Sequence, residues 1–299
     1  MKVYSPSAST AWMASPASHY LNYVGRWQPR KVNRGGLARI LGSAFTKAVA
    51  EFWLAGGPEA TITGLHDQVC GIAEKSALTD LQWLNEAGAT FGQKDMDLME
   101  ALPLKAKSAI SKYMSDPKLP TGYIVEAVEP PMPEHGWARP DLVLKYQEDY
   151  VPLDFKCKLS APRKGDTRYL DEINHAWQMM HYTWAVSQIY NCTPQMFYVV
   201  YIILEPTIKV TLHDFYIDDE ILQLWLNSAR TVWALMEHMQ TGDTESMQQI
   251  INEQGKLYPW HTFEWFDRWG RLEFTDAILD CKLHEHLMNK DYIKKRSRK

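Results

Sequence analysis

The chain has 299 residues, enough to bury a sizeable core as one elaborated domain or as two. Its hydrophobic content of 45% and charged content of 23% are ordinary for a globular protein, and its net charge of −4 argues against a broad basic surface. Neither a signal peptide nor an apolar run of about 18 residues is found, so we expect a cytoplasmic protein without membrane spans. The four cysteines show no close-pair spacing, which favours neither a disulfide framework nor a zinc site.

The first part of the chain predicts helices. A serine-rich opening is typical of a helix cap and precedes a short helix. Residues 60–116 repeat apolar side chains at helical spacing, with Gly88, Gly92 and Pro103 as interruptions. No catalytic motif is found in this region. From the helical spacing, residues 1–118 are predicted to form a helical subdomain that packs on the core.

A strand is predicted next, at residues 123–129. Glu126 and Glu129 lie three residues apart, so on a regular strand they face opposite sides and only one of them can join a site. We prefer Glu126, because it lies within the regular strand whereas Glu129 borders two prolines.

The most informative stretch is residues 151–158, where apolar and polar side chains alternate strictly. Because side chains alternate faces along a strand, Asp154 and Lys156 share the polar face. Residues 141–146 predict a second strand, opened by a Pro-Asp dipeptide, and the polar link between the two strands suits a hairpin. Such a hairpin would bring Asp141 and Asp154 to one place.

Two carboxylates and a lysine on one strand pair have a chemical use. Hard oxygen ligands hold Mg²⁺, which lowers the pKa of a bound water and neutralises charge on a phosphodiester. The lysine can position that water or stabilise the transition state. The alternative is an amphipathic hairpin with a solvated charged face, since an Asp-x-Lys triplet alone is a weak signal. The upstream Pro-Asp and the clean alternation favour a site.

The chain beyond this strand has a basic segment and then a helix. The segment contains Arg163 and Lys164, which suit a phosphate clamp, although a plain connecting loop fits equally well. A helix is predicted at residues 169–190. Gln178 and Tyr182 are four residues apart and therefore share a face of that helix.

The rest of the core is predicted from three patterns. Residues 196–204 form a nearly continuous apolar run, typical of a central strand buried on both faces, and residues 208–215 alternate like an edge strand. A long amphipathic helix follows at about residues 218–240. We therefore place an α/β core at residues 119–240. Residues 241–299 are predicted to be a helical, Trp-rich segment with a basic tail that can attract nucleic acid.

Three motifs together resemble the PD-(D/E)xK nuclease superfamily. They are Pro140-Asp141, then Asp154-Phe155-Lys156, then Gln178-Met179-Met180-His181-Tyr182. The Gln-x-x-x-Tyr spacing is similar to the RecB-like branch, which includes the AddB and CRISPR-associated relatives. The resemblance covers roughly residues 119–190 well and the flanks loosely. It implies a restriction-endonuclease-like α/β fold, with a small mixed β-sheet flanked by helices and a helical N-terminal subdomain.

The resemblance also implies roles for the hairpin residues. Asp141 and Asp154 would bind Mg²⁺ or Mn²⁺, with the backbone carbonyl of Phe155 and the carboxylate of Glu126 contributing. Lys156 would be catalytic and would orient the attacking water.

The helix residues and the activity follow from the same resemblance. Gln178 and Tyr182 would belong to the catalytic set, contacting DNA or orienting the active residues, and Arg163 and Lys164 would contact DNA. The implied activity is metal-dependent hydrolysis of DNA phosphodiesters, with cleavage from an end favoured over internal cleavage. The expected substrate is a single strand or a duplex that has an end. Recombination, repair or replication proteins are possible partners. The alternatives are a structure- or sequence-specific endonuclease of the same superfamily and a nucleic-acid-binding module with a remnant active site.

The chain departs from the family pattern at two positions. Relatives with an iron–sulfur cluster have a cysteine where Ser15 stands, and residues 260–279 contain none of the further cysteines, so we expect no such cluster. Thr46 stands where many members have a histidine that assists metal binding, although His19 or His66 could substitute.

Overall fold

The computed structural model describes six stretches of the chain: residues 2–14, 27–29, 31–32, 34–160, 176–241 and 292–294. By its internal contacts the chain divides into two compact units. One, the flanking unit, comprises Met1–Pro29, Pro131–Ala138 and Asp218–Lys299. The other, the sheet unit, comprises Arg30–Pro130 and Arg139–Ile217. Within the described stretches, no helix combines the length and the apolar character that crossing a membrane requires.

The sheet unit is built on a five-stranded mixed sheet. In spatial order its strands are β4 (Ile124–Val128), β5 (Leu142–Tyr146), β6 (Asp149–Ser160), β7 (Met196–Glu205) and β8 (Lys209–Tyr216). All neighbours are antiparallel except β6 and β7, which are parallel. A parallel pair needs a crossover connection, and here it contains a helix. The predicted α/β class and small mixed sheet are confirmed.

The strands β5 and β6 form the predicted hairpin. Their register runs from Leu142 opposite Leu153 to Tyr146 opposite Asp149, which leaves a two-residue turn. Gln147, in that turn, has a φ of 55°, in the left-handed region that tight hairpin turns use. The register therefore fixes which side chains of the two strands lie opposite each other.

Three helices form a layer on one face of this sheet: α2 (Arg34–Leu54) and α4 (Gln93–Ser115) pack on the strands, and α3 (Leu65–Glu86) packs on these two helices. Phe155 of β6 points to this face, where its ring centroid lies 5.7 Å from that of Phe45 and 5.3 Å from that of Tyr113. The Tyr113 hydroxyl accepts a 3.1 Å hydrogen bond from Trp53 Nε1, so the buried ring has a partner for its polar end. Through Phe155, this aromatic cluster packs β6 against α2 and α4.

The predicted interruption at Pro103 is wrong. The helix α4 continues through this position, and Pro103 is buried inside it. Proline lacks a backbone N–H and disfavours a helix interior by about 3 kcal/mol. The packing of the buried face of α4, with Leu98, Leu102 and Ile110 fully or nearly covered, offsets that cost.

The helix α5 (Trp177–Tyr190) covers the opposite face of β6. The predicted helix began at residue 169, and its first part lies outside the described residues. The strand β7 is buried along almost its whole length, and β8 lies at the edge of the sheet, as predicted. The sheet face that bears Asp154 and Lys156 is therefore covered by a helix and is not a solvated surface.

The flanking unit contains α1 (Pro6–Ala14), α6 (Asp219–Thr241) and residues 131–138. Trp233 Nε1 of α6 donates a 3.2 Å hydrogen bond to Ser9 Oγ of α1, and both residues are buried. Two short strands, β1 (Trp27–Pro29) and β9 (Tyr292–Lys294), pair antiparallel. Two more, β2 (Lys31–Val32) and β3 (Thr90–Phe91), pair parallel in the sheet unit.

The predicted domain boundaries at 118/119 and 240/241 stay predictions. The contacts group α2, α3 and α4 with the sheet rather than with α1. Most of residues 241–299 lies outside the described part of the chain.

Candidate active site

The hairpin places the two aspartates opposite each other. Leu142 lies opposite Leu153, so the next position outward sets Asp141 opposite Asp154. Asp141 Oδ2 accepts a 2.7 Å hydrogen bond from the backbone N–H of Phe155, which fixes the carboxylate against β6. The structure thus brings the two carboxylates into one small volume.

The carboxylate pair is strongly desolvated. Asp154 is only 4% exposed, and its Oδ2 atom is paired with Lys156 Nζ at 2.5 Å. Asp141 keeps some exposed surface, but protein atoms surround its carboxylate closely. That burial, together with the charge of Asp154, raises the pKa of Asp141 well above its ordinary value, despite the opposing Phe155 N–H and Lys156 charge. A cation placed here would relieve this repulsion.

A chain of hydrogen bonds leads from the lysine to α5. Lys156 Nζ donates to Gln178 Oε1 at 2.7 Å, and Gln178 Nε2 donates to Tyr182 Oη at 2.7 Å. An ammonium group can only donate, so the amide oxygen must face Lys156 and the amide nitrogen is left for the tyrosine. Burial raises the pKa of Tyr182, with the nearby aspartates adding to the effect, so its hydroxyl stays protonated. Gln178 and Tyr182 share a helix face, as predicted, and that face holds the lysine.

Glu126 lies on β4 and Glu129 directly after it, and Glu129 is the one placed beside the aspartates. Its backbone N–H donates a 2.9 Å hydrogen bond to the Asp141 carbonyl, and its charge contributes to the raised pKa of Asp141. Glu126 instead lies exposed, with its charge acting on Lys145. The preference for Glu126 disagrees with this placement. Val128 pairs with Leu142, so the next position sets Glu129 beside Asp141, whereas Glu126 falls in the bulge between Val125 and Ala127, nearer Lys145.

Sequence reasoning missed Arg139 altogether. Its Nη2 atom lies 3.9 Å from Glu129 Oε1, and its charge lowers the pKa of Tyr182 against the stronger effect of burial. More than half of its side chain is exposed. The sequence did hold a signal for Arg139. It directly precedes Pro140-Asp141, so its backbone lies next to that of a residue of the carboxylate pair.

The comparison with known families agrees with this geometry. A model of the PD-(D/E)XK nuclease superfamily matches residues 3–253, which is most of the chain. The chain belongs to the PD-(D/E)XK nuclease superfamily. Membership implies a nuclease, hence a hydrolase, and members of the superfamily typically use divalent metals. No curated protein and no solved structure matches the chain.

Five residues singled out from the sequence are not part of the hairpin site that the structure describes. Four lie outside the described residues: Ser15, His19, Arg163 and Lys164. The lack of an iron–sulfur cluster therefore stays a prediction. His66, suggested as a substitute metal ligand, has its ring nitrogens 3.0 Å from Ser111 Oγ and 3.3 Å from Asp67 Oδ1. Asp67 lies on α3 with His66 and Ser111 lies on α4, so neither contact involves the hairpin residues.

The donor set fits the divalent cation that the superfamily implies. Asp154 and Asp141 offer two carboxylates on one side of the hairpin, the Asp154 oxygen Oδ2 is balanced, among the described residues, by Lys156 alone, and the backbone carbonyl of Phe155 follows in β6. In the parts of the chain that the structure describes, no three His, Cys, Asp or Glu side chains converge into a metal cage. Mg²⁺ does not require one, because it is usually held by one or two carboxylates, water and substrate phosphate.

Proposed function

We propose that this protein is a Mg²⁺- or Mn²⁺-dependent deoxyribonuclease of the RecB-like branch that degrades DNA from an end. The observation that supports this best is the connected set formed by Asp141, Asp154 and Lys156, with Lys156 bonded in turn to Gln178. A solvated charged hairpin would not bury Asp154 or give its lysine a helix-borne acceptor. The arrangement suits hydrolysis of a phosphodiester.

The cation would be held by Asp141, Asp154 and the backbone carbonyl of Phe155. Glu129, rather than Glu126, is the neighbouring acidic side chain that can complete or tune this set, since it lies next to Asp141. When bound, the cation supplies charge neutralisation on the phosphate and a more acidic water. The raised pKa of Asp141 means that metal binding competes with a proton at that carboxyl.

Lys156 would stabilise the negative charge that develops on the phosphate or orient the attacking water. Its ammonium group is held from two sides, by the Asp154 carboxylate and the Gln178 amide oxygen. A flexible lysine loses side-chain freedom in such a position, so its donors are already aligned before DNA arrives. We assign Gln178 and Tyr182 first to this alignment and only second to direct DNA contact.

Arg139 would bind a backbone phosphate next to the site. A half-exposed guanidinium paired loosely with Glu129 can exchange that carboxylate for a phosphate oxygen, which offers bidentate geometry. Arg163 and Lys164 remain proposed DNA contacts on the strength of sequence alone.

End-dependent action is proposed from two features. The net charge of −4 argues against a broad basic DNA-reading surface, and no module for reading base edges is evident in the sequence. The main rival is a structure- or sequence-specific endonuclease of the same superfamily. A nucleic-acid-binding module with a remnant site is favoured only by Thr46 in place of the family histidine. We place the protein in the cytoplasm, in recombination, repair or replication.

The deciding experiment compares linear DNA with a covalently closed circle of the same sequence, with Mg²⁺, with Mn²⁺ and with EDTA. Metal-dependent loss of the linear form alone supports the proposal, and equal cutting of the circle supports the endonuclease. Absence of cleavage by the wild type under every condition would support the remnant. The chain offers a matched control, because Asp116 and Lys118 form an exposed ion pair with the same Asp-x-Lys spacing as Asp154 and Lys156.

A further inference from the structure

Trp137 is the most exposed large hydrophobic side chain in the described part of the protein, at 70% exposure. A single exposed apolar residue is common and needs no explanation by itself. The backbone at this position is unusual, however. Trp137 has a φ of 56°, in the left-handed region that bulky residues rarely occupy, because Cβ then approaches the following carbonyl oxygen.

The residue before it shares this conformation. Gly136 has a φ of 71°, and a Cβ atom placed there would lie 2.5 Å from the carbonyl oxygen of Tyr4. Glycine is therefore required, and the turn packs directly against the N-terminal segment within the flanking unit. Two successive left-handed residues in a closely packed turn hold the indole outward at a conformational cost.

The ends of the turn are fixed as well. Met132 and Ala138 are both buried, and Met132 N–H donates a 3.1 Å hydrogen bond to the Ala138 carbonyl. Inside the turn, His135 N–H donates to the Met132 carbonyl at 3.1 Å. The exposed ring of Trp137 therefore belongs to a closed turn whose two end residues, Met132 and Ala138, are buried.

We propose that Trp137 is a stacking platform for an unpaired nucleobase at a nucleic-acid end. An indole offers a flat apolar face, every base offers a π-face, and stacking between them is tolerant of sequence. A protein partner would instead need a contiguous apolar patch, whereas the chain neighbours of Trp137, Gly136 and Ala138, are both buried. The choice of a nucleic acid rests on the proposed nuclease function, and Trp137 precedes Asp141 by only four residues in the chain.

The test measures binding rather than cleavage. The full-length protein, in EDTA, is titrated with a fluorescein-labelled single strand and with a blunt duplex, and binding is followed by anisotropy. Trp137→Ala should weaken binding of the single strand by about 10-fold or more, the range found when one stacked base loses its aromatic partner. Trp137→Phe should retain affinity within about 3-fold. Tyr216→Ala, at an aromatic side chain that is 62% exposed on β8, is the control and should change nothing.

Trp137→Gly separates stacking from folding. Glycine prefers the left-handed backbone that Trp137 adopts, so this variant should unfold at the same temperature as the wild type or a higher one. It should nevertheless lose the same single-strand affinity as Trp137→Ala. Wild-type binding by either variant, or no measurable single-strand binding by the wild type, would overturn the stacking proposal.

The outcome is independent of the nuclease assay. A wild type that cleaves DNA while Trp137→Ala binds normally would leave the nuclease function standing and reject the platform. Loss of binding in Trp137→Ala, in a protein that cleaves nothing, would support the platform and reject the nuclease function.

Discussion

Lys156 Nζ and Gln178 Oε1 lie 2.7 Å apart, so a residue of the central sheet is held by a residue of the covering helix. This contact joins β6 to α5 at the point where Asp154 is buried. The lysine is therefore positioned by two different elements, whose contacting residues lie 22 positions apart in the sequence. Its alignment depends on the docking of the helix as well as on the alternation of the strand.

The first prediction concerns the hairpin. Asp154→Asn should weaken Mg²⁺ binding, and Lys156→Ala should leave it largely intact, because only the first removes a carboxylate. Each should lower the cleavage rate at least about 100-fold, the scale of one lost transition-state contact. Cleavage of linear DNA and metal titration by calorimetry check both statements.

The controls for this prediction are Asp116→Asn and Lys118→Ala, which remove the charges of an exposed pair with the same spacing. Both should cleave like the wild type, since exposed ion pairs contribute little. Undiminished cleavage by Lys156→Ala would remove the lysine from the catalytic set.

The second prediction separates positioning from DNA binding at Gln178. Gln178→Ala should lower kcat by about 10-fold or more with little change in DNA affinity, because it frees Lys156 without removing a phosphate contact. Gln178→Glu should preserve an oxygen acceptor for the ammonium group and recover part of the rate. Tyr182→Phe removes the group that holds the amide and should have a smaller effect of the same kind.

Single-turnover kinetics and anisotropy on the same variants measure the two quantities. A fall in DNA affinity with kcat preserved would assign Gln178 to DNA contact. Gln188→Ala, an exposed glutamine on the same helix, provides the comparison.

The third prediction concerns pH. Because burial and Asp154 raise the pKa of Asp141 in the folded state, the folded protein holds a proton that the unfolded chain has released. Without metal, stability should therefore fall as the pH rises from the ordinary aspartate pKa towards the raised value, and stay lower above it. Asp141→Asn should raise the thermal midpoint of the metal-free protein at neutral pH and lose that advantage in acid.

Thermal unfolding in EDTA across a pH series checks this, with Asp116→Asn as the exposed control. If Asp141→Asn raised the thermal midpoint equally at every pH, or lowered it at neutral pH, Asp141 would not be the group whose pKa is raised in the folded protein. Added Mg²⁺ should stabilise the wild type more than Asp141→Asn, because the ion binds the folded state.

The hairpin could be predicted because its signals are local. The strict alternation at residues 151–158 determines which face is buried, and the short polar link determines the register with the preceding strand. Those two facts place Asp141 opposite Asp154. The helix spacing of Gln178 and Tyr182 was equally local.

Other features depend on tertiary structure and were not predictable in this way. The pairing of Val128 with Leu142 sets Glu129 beside Asp141, whereas Glu126 falls in a bulge nearer Lys145. Pro103 stays helical because the sheet unit buries its helix face. Arg139 has no motif, and its role becomes visible only once Glu129 and Tyr182 are seen near it.

The last prediction concerns that arginine. Arg139→Gln should weaken DNA binding about equally for all sequences and reduce the slope of log K against log salt by about 1, as expected for one lost phosphate contact. Arg139→Lys should keep the salt slope but bind less tightly, because an ammonium group cannot match a phosphate in bidentate fashion. The control is Arg39→Gln, an exposed arginine on α2, which packs on the other face of the sheet from α5. Anisotropy over a salt series, in EDTA, gives both quantities. A slope unchanged in Arg139→Gln would show that Arg139 meets no phosphate and serves only to neutralise Glu129.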